Sequence, residues 1–160
     1  MSTLIVYFSA TGTTRRVAEK LSAAIDAPAE EIKAEPPFTA ADLDWNDPSS
    51  RCSKEHADRS MRPAIQQPAP DASGYDTVLL GYPLWWETAP REVRTWLESQ
   101  DWSGKTIATF ATSSMSVRGA DGTQLHDSAP AAHWVDGRRF TPSTPEIELR
   151  NWAESVEAAK

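Results

Sequence analysis

Short apolar runs alternate along the chain with segments in which apolar residues recur at helical spacing. The run at 4–8, "LIVYF", is rich in β-branched and aromatic residues, which is typical of a strand buried on both faces of a parallel sheet. A small polar loop at 9–14 follows it. An amphipathic helix that ends before Pro28 is predicted next, and its apolar face consists of Val17, Ala18, Leu21, Ala24 and Ile25.

The same alternation continues toward the end of the chain. Helices are predicted at 90–99, which a proline opens, and from 143–145 onward, where Ser143 and Glu146 have the spacing of a capping box. Further strands are predicted at 30–33, 77–81, 106–111 and, with the weakest pattern, 132–135.

This order of elements predicts a single α/β domain over residues 1–160. Strands that alternate with helices through short loops form a parallel sheet with right-handed crossovers. The exception is the segment 34–76, which is rich in proline and charge. We predict that it is a long crossover on the surface, with one helix near 49–60.

Composition and charge narrow the classes of partner. The chain has 160 residues, of which 39% are hydrophobic, so it has enough apolar side chains for a core. Its formal net charge of −7 excludes nucleic acids and anionic membranes as expected partners, because their phosphates would be repelled. Basic proteins and small ligands remain, and the acidic balance also favours solubility.

Cysteine and histidine carry no recognisable chemistry in this sequence. With a single cysteine, Cys52, no disulfide forms within the chain. The three histidines, His56, His126 and His133, are scattered and match no metal-ligand spacing. The apolar run 4–8 is too short for a signal peptide or a membrane span, so we expect a cytoplasmic protein without a metal site.

The loop 9–14, "SATGTT", has the features of an anion site. It joins a buried strand to a helix N-terminus, where free backbone N–H groups and the helix dipole favour negative charge. Gly12 permits unusual backbone torsions, and further donors are the hydroxyls of Ser9, Thr11, Thr13 and Thr14. The alternative is a polar turn that only caps the helix.

Known phosphate loops of other classes do not fit this segment. It lacks the lysine of nucleotide-hydrolysing P-loops, the three glycines of the dinucleotide fingerprint and the cysteine of thiol-dependent phosphatases. What remains is a hydroxyl-lined cradle that holds a phosphate without attacking it.

Two more loops follow predicted strands at the edge of the sheet where ligands bind. In "GYPLWWETAP", one of the adjacent residues Trp85 and Trp86 is expected to pack into the structure, and the other to cover a planar ring. The alternative is that both pack under the loop or in a dimer contact. In the third loop, "ATSSMSVRG", we leave open whether Arg118 faces a ligand or solvent.

These segments together resemble the flavodoxins. "IVYFSATGTTRRVAEKL" resembles the flavodoxin signature, and "GYPLWWETAPREVRTWLE", "DWSGKTIATFATSS" and "SKEHADRSMRPAI" resemble short bacterial flavodoxins whose flavin loop has the form Tyr-Pro-x-Trp-Trp. The resemblance covers most of the chain in the right order. It implies a three-layer sandwich with a five-stranded parallel sheet of order 2-1-3-4-5 and FMN at the switch point, which are known features of that fold.

The resemblance also implies a function and a set of binding residues. The expected function is electron transfer through one noncovalently bound FMN, to redox partner proteins or small-molecule acceptors, with no catalytic side chain. Alternatives are an FMN-dependent NAD(P)H oxidoreductase of the quinone-reductase kind and an interaction module that has lost its flavin. The residues expected to bind FMN are Ser9, Ala10, Thr11, Gly12, Thr13, Thr14, Pro83, Leu84, Trp85, Trp86, Glu87, Thr112, Ser113 and Ser114.

The sequence departs from its resemblance in two loops. Flavodoxins with this flavin loop usually have glycine where this chain has Glu87, and a side chain there makes a positive φ costly. The carboxylate would also oppose negative charge on a reduced flavin. In the third loop, Ser114 and Met115 stand where such flavodoxins are rich in glycine.

Overall fold

The computed structural model describes residues 2–160, and its centre is one five-stranded sheet in which every pairing is parallel. The strand order is β2-β1-β3-β4-β5, so the predicted fold class and order are confirmed. The strands are β1 (Thr3–Phe8), β2 (Ala29–Ile32), β3 (Thr77–Pro83), β4 (Thr106–Thr112) and β5 (His133–Phe140).

Helices cover both faces of this sheet. Side chains of α1 and α4 pack in one hydrophobic core, and those of α3 pack in the other. The helices are α1 (Thr13–Ile25), α2 (Arg51–Ala57), α3 (Arg91–Glu98) and α4 (Glu146–Ala158), with a short 3₁₀-helix (Thr123–Ser128) after β4.

Strand β1 shows why its sequence is continuously apolar. Leu4 and Val6 lie in the core on the α3 side, whereas Ile5 and Tyr7 lie in the core on the α1 and α4 side. Side chains alternate between the two faces of a strand. Because both faces are covered, every position of the run must be apolar.

The last strand is longer than predicted. The sequence pattern indicated 132–135, but β5 extends to Phe140 through a charged stretch, "DGRRF", in which Asp136 and Arg138 are exposed. An edge strand needs no apolar residues on a face that solvent reaches, and charge on such an edge discourages pairing with other chains. The hydrophobic pattern therefore missed the second half of the strand.

The predicted capping box at the start of α4 is wrong. The residue before the helix is Pro145, and no side chain caps the first turn. The Ser143 hydroxyl lies 2.9 Å from that of Thr141 and stabilises the preceding turn instead. Proline favours the start of a helix through its fixed φ, so the chain begins α4 without a side-chain cap.

The long crossover 34–76 is closed on itself and fixed to α3. Ala34 and Ile65 form an isolated antiparallel bridge, and the indole N–H of Trp96 donates to the carbonyl of Pro70 at 2.8 Å. Within the crossover, the predicted helix is present as α2, from Arg51 to Ala57. Its Cys52 is free and buried.

Candidate functional site

The loop 9–14 folds around the hydroxyl of Ser9. Its oxygen accepts hydrogen bonds from the backbone N–H groups of Gly12, at 3.1 Å, and Arg15, at 3.2 Å. Gly12 precedes α1 with φ 95°, a left-handed conformation that favours glycine. Ser9 therefore shapes the loop and satisfies two N–H groups at the start of the helix.

The remaining donors of the loop are fewer than the sequence suggested. The Thr14 hydroxyl is buried and lies 2.7 Å from the hydroxyl of Thr112 at the end of β4. Among the described residues, the backbone N–H groups of Thr13 and Thr14 and the hydroxyls of Thr11 and Thr13 have no hydrogen-bond partner. These groups are donors that the loop can offer to an anion.

The arginine nearest to the loop is engaged by a carboxylate on the neighbouring strand. Arg15, the first arginine of α1, makes an ion pair with Glu31 on β2, with its Nη2 at 2.9 and 2.8 Å from the two carboxylate oxygens. The loop is thus an anion site that works through neutral donors and the helix dipole.

The second loop is a tight two-residue hairpin. Trp85 and Thr88 exchange backbone hydrogen bonds of 2.9 and 3.1 Å, and the residues between them, Trp86 and Glu87, have φ of 50° and 65°. Positive φ at both central positions is the type I′ pattern, which normally takes Asn-Gly. Glu87 adopts the positive φ that its side chain makes costly, so this turn stores backbone strain.

The two tryptophans occupy different environments. Trp85 makes edge contacts with Phe8 and Phe38, at ring-centroid distances of 5.9 and 5.5 Å, and packs against the core. Trp86 is 42% exposed and stacks on His56 of α2 at 4.4 Å. Which of the two rings covers a ligand stays a prediction.

A cavity of about 470 Å³ joins the first two loops. Nine of its lining residues were predicted from the sequence: Ser9, Ala10, Thr11, Thr13, Thr14, Pro83, Leu84, Trp85 and Trp86. The crossover supplies the residues that the prediction missed, namely Leu43, Trp45 and Cys52. Trp45 stands in a polar segment of the sequence, and this unusual position for a tryptophan was the one signal that could have indicated its place in the cavity. In the structure its side chain is 68% exposed.

The third loop lies beside this cavity and does not line it. Arg139 of β5 donates to the carbonyl oxygens of both Ser113 and Ser114 and so holds that part of the loop. Thr112 reaches the site only through its contact with Thr14. The predicted roles of Ser113 and Ser114 in binding stay predictions.

Gly12 and Glu87 also lie outside the lining of the 470 Å³ cavity. Glu87 lines a neighbouring cavity of about 730 Å³, where its carboxylate is 3.4 Å from the guanidinium of Arg118. Both of these side chains are largely exposed. Arg118 therefore pairs with Glu87 in this structure, and its role toward a ligand stays a prediction.

Buried charges hold α2 against α3 behind the aromatic cluster. Arg51 Nε contacts Glu55 at 2.8 Å, Arg51 Nη2 lies 3.7 Å from Glu92, and the guanidinium stands 4.1 Å over the ring of Phe38. Glu92 is fully buried, and neither of its carboxyl oxygens has a hydrogen-bond partner. Burial, and then the neighbouring carboxyl group of Glu55, raise the pKa of Glu92 to about 9.

The described residues contain no group of three or more histidine, cysteine, aspartate or glutamate side chains that could hold a metal ion. Within the same range, none of the helices has the length and apolar composition that a membrane span requires.

The family model for flavodoxins matches residues 2–156. The chain belongs to the flavodoxin family. No functionally curated protein matches it.

Solved structures agree with this assignment. A provisionally named flavoprotein from Bacteroides eggerthii is 42% identical, with 98% of each chain covered and a TM-score of 0.89. A similarly named protein from Bacteroides uniformis is 39% identical, with 96% of this chain and 97% of that one covered and a TM-score of 0.87. A flavoprotein from Lactobacillus acidophilus, solved in complex with FMN, shares the fold at 24% identity, 95% and 98% coverage and a TM-score of 0.72.

The buried carboxyl group of this flavodoxin makes its stability depend on pH. Because folding raises the pKa of Glu92 from 4.5 to about 9, its stabilisation is fully present below pH 4.5 and is lost as the pH rises toward about 9. Glu92→Gln removes this loss. In urea unfolding, we expect the free energy of unfolding of the variant, relative to that of the wild type, to increase as the pH rises across that window. Exposed Glu154→Gln is the control, and parallel curves for wild type and Glu92→Gln would contradict the prediction.

The strained turn predicts that glycine stabilises position 87. Relative to Glu87→Ala, which also removes the ion pair with Arg118, Glu87→Gly relieves a positive φ of 65°. We expect the glycine variant to unfold with a free energy about 1 kcal/mol higher than the alanine variant in denaturant titrations. Equal stabilities of the two variants would show that the turn carries no strain at this position.

Proposed function

We propose that the protein binds one FMN noncovalently and carries electrons. The observation that supports this most is the 470 Å³ cavity, which connects an anion site at a helix N-terminus to a loop with two tryptophans. Its volume lies within the range of about 300–1,000 Å³ that is usual for cofactor sites. A phosphate at one end and a flat apolar ring at the other match the two ends of FMN.

The donors of the first loop fit the phosphate of FMN. Thr11 and Thr13 offer hydroxyls, and Thr13 and Thr14 offer backbone N–H groups, none of which has a partner among the described residues. Aromatic and apolar side chains at the other end, Leu84, Trp85 and Trp86, fit the ring system. When bound, FMN supplies reversible one- and two-electron transfer.

The chain's own residues would position the cofactor and shield it from water. Trp85 is held by its contacts with Phe8 and Phe38, so it forms a fixed wall. Trp86 rests on His56 and is partly exposed, so it can adjust to a ring. Glu87 and Arg118 neutralise each other at the rim, which reduces the repulsion between the carboxylate and a reduced flavin.

Electron carriage is proposed in preference to hydride transfer from NAD(P)H. Both tryptophans line the cavity, and rings that cover a flavin exclude a nicotinamide from the same face. The net charge of −7 favours redox partners with basic surfaces. We further propose that residues 1–160 act as one domain in the cytoplasm, with partner proteins or small molecules as electron acceptors.

The phosphate role of the first loop is tested by comparing FMN with riboflavin, which lacks the phosphate. Thr13→Val removes an unpaired hydroxyl, and the loss of one hydrogen bond to a charged group should weaken FMN about tenfold or more. We expect riboflavin affinity to stay unchanged in fluorescence-quenching titrations. Equal weakening of both ligands would contradict the role of Thr13, and a wild type that quenches neither would overturn the flavin proposal.

Thr14→Val is the matched variant for that comparison. Its hydroxyl is buried against Thr112, so we expect a lower free energy of unfolding, by about 1–2 kcal/mol, because the Thr112 hydroxyl loses its partner. No preferential loss of FMN over riboflavin is expected for this variant.

A turnover assay separates the carrier from the oxidoreductase. With FMN-loaded protein, a quinone and NADPH or NADH, we expect the nicotinamide to be oxidised no faster than with free FMN at the same concentration. Rapid turnover that depends on the protein would establish the oxidoreductase instead.

A further inference from the structure

Four arginines converge on another cavity, which lies beside the tryptophan loop and is called the arginine cavity below. The cavity has a volume of about 640 Å³. It lies between the C-terminal end of α2, the segment that follows α2, the first turns of α3 and the 3₁₀-helix. Its lining includes His56, Arg59, Arg62, Thr88, Arg91 and Arg94.

The positive charge of this cavity contrasts with the net negative charge of the protein. The chain has 16 lysines and arginines against 23 aspartates and glutamates, yet within the part of the chain that the structure describes, the only carboxylate that lines this cavity is that of Asp127. Burial, and then the charges of Arg94, Arg59 and Arg62, lower the pKa of Arg91. The four guanidinium groups are therefore close enough to repel one another.

Two of the arginines have carboxylate partners. Arg94 lies 2.6 Å from Asp127, and Arg62 lies 2.9 Å from Glu98. These two ion pairs hold the 3₁₀-helix and the segment after α2 against α3. They leave no uncompensated charge for a ligand.

The other two arginines are not neutralised in this way. Arg91 is buried, and its guanidinium donates to the backbone carbonyls of Glu55, at 3.3 Å, and His56, at 2.7 Å. These carbonyls belong to the last turn of α2, whose dipole supplies about half a negative charge. Arg59 makes no ion pair among the described residues, and Asp58 acts on Arg91 only from beyond the ion-pair distance of 4.0 Å.

We propose that this cavity binds the phosphate group of a small molecule. A phosphate anion matches the charge that Arg59 leaves uncompensated and Arg91 leaves partly compensated, and the planar guanidinium group of Arg59 suits phosphate oxygens in paired hydrogen bonds. The volume accommodates a ligand of nucleotide size.

The position of the cavity connects it to the flavin loop. His56 lines the arginine cavity and also stacks on Trp86, which lines the other cavity. Thr88 closes the hairpin that contains Trp86 and lines the arginine cavity as well. A ligand in the arginine cavity thus meets two residues, His56 and Thr88, that contact or close the turn containing Trp86.

His56 provides the direct reporter of binding. Burial, and then the charge of Arg91, lower the pKa of its imidazole. A bound dianion offsets Arg91, so titration of the protein with pyrophosphate at constant ionic strength should raise the pKa of His56 measured by NMR. We expect saturable shifts at His56 and none at His133, which lies on the edge strand. Absence of saturable shifts would overturn the proposal.

Variants separate a specific site from general charge screening. Arg59→Gln removes an exposed arginine of the cavity, and Arg16→Gln removes an exposed arginine of α1. We expect Arg59→Gln to weaken pyrophosphate at least fivefold and Arg16→Gln to leave its affinity unchanged. Equal effects of the two substitutions would overturn the proposal.

Competition with FMN and the choice of probe complete the test. Pyrophosphate in the arginine cavity should leave FMN affinity unchanged, whereas displacement of FMN would place the probe in the loop 9–14 and contradict the proposal. This outcome does not depend on whether FMN is the natural cofactor. Adenosine diphosphate binding more tightly than pyrophosphate would identify a nucleotide, and equal binding would identify a free phosphate compound.

Discussion

The parallel pairing of β1, β3 and β4 is the constraint on which the whole site depends. Because these neighbouring strands run in one direction, their carboxyl ends meet at the same edge of the sheet. The three loops that follow them are thereby brought together although the chain separates them widely. The bond between Thr14 and Thr112 joins residues 98 positions apart and ties the start of α1 to the end of β4. Without the shared direction of the strands, the anion site and the tryptophan loop would not meet at one edge of the sheet.

The hairpin after β3 shows where this edge accepts strain. Two consecutive side chains, Trp86 and Glu87, occupy left-handed conformations in a turn that asparagine and glycine would fill at lower cost. The third loop fits closely around this conformation, since a Cβ on Gly119 would meet the carbonyl oxygen of Glu87 at 2.1 Å. Gly119 is fixed in turn, because its carbonyl accepts hydrogen bonds from Tyr82 and Gln124. Packing of the third loop therefore holds the strained turn in place. This third loop, which is rich in glycine in such flavodoxins, still requires a glycine at position 119 in this chain.

Elements buried on both faces could be predicted from the sequence, whereas contacts between distant segments could not. Strands β1, β3 and β4 have continuous apolar runs, so their positions were recognisable, and the strand order followed from the resemblance to flavodoxins. The second half of β5, in which Asp136 and Arg138 are exposed, has no such signal. Ser9 and Thr14 were identified as loop residues, and their hydroxyls prove to be bonded within the protein. The hydroxyl of Ser9 is bonded within its own turn, which the sequence places beside it. The partner of Thr14, in contrast, lies in another strand. The cavity residues from the crossover were missed for the same reason, because periodicity does not show where a long connection lies.

Helix α2 links the two cavities, and its stability comes from outside its own sequence. A helix of seven residues is too short to be stable alone, so its position depends on tertiary contacts. At its start, Arg51 contacts Glu92 and Phe38, and at its end Arg91 binds the last carbonyls. Between these anchors, Cys52 lines the cavity of the first two loops and His56 lines the arginine cavity. Glu92 lies 3.7 Å from Arg51, so this buried carboxyl group is adjacent to the anchor that fixes the start of α2 between the two cavities.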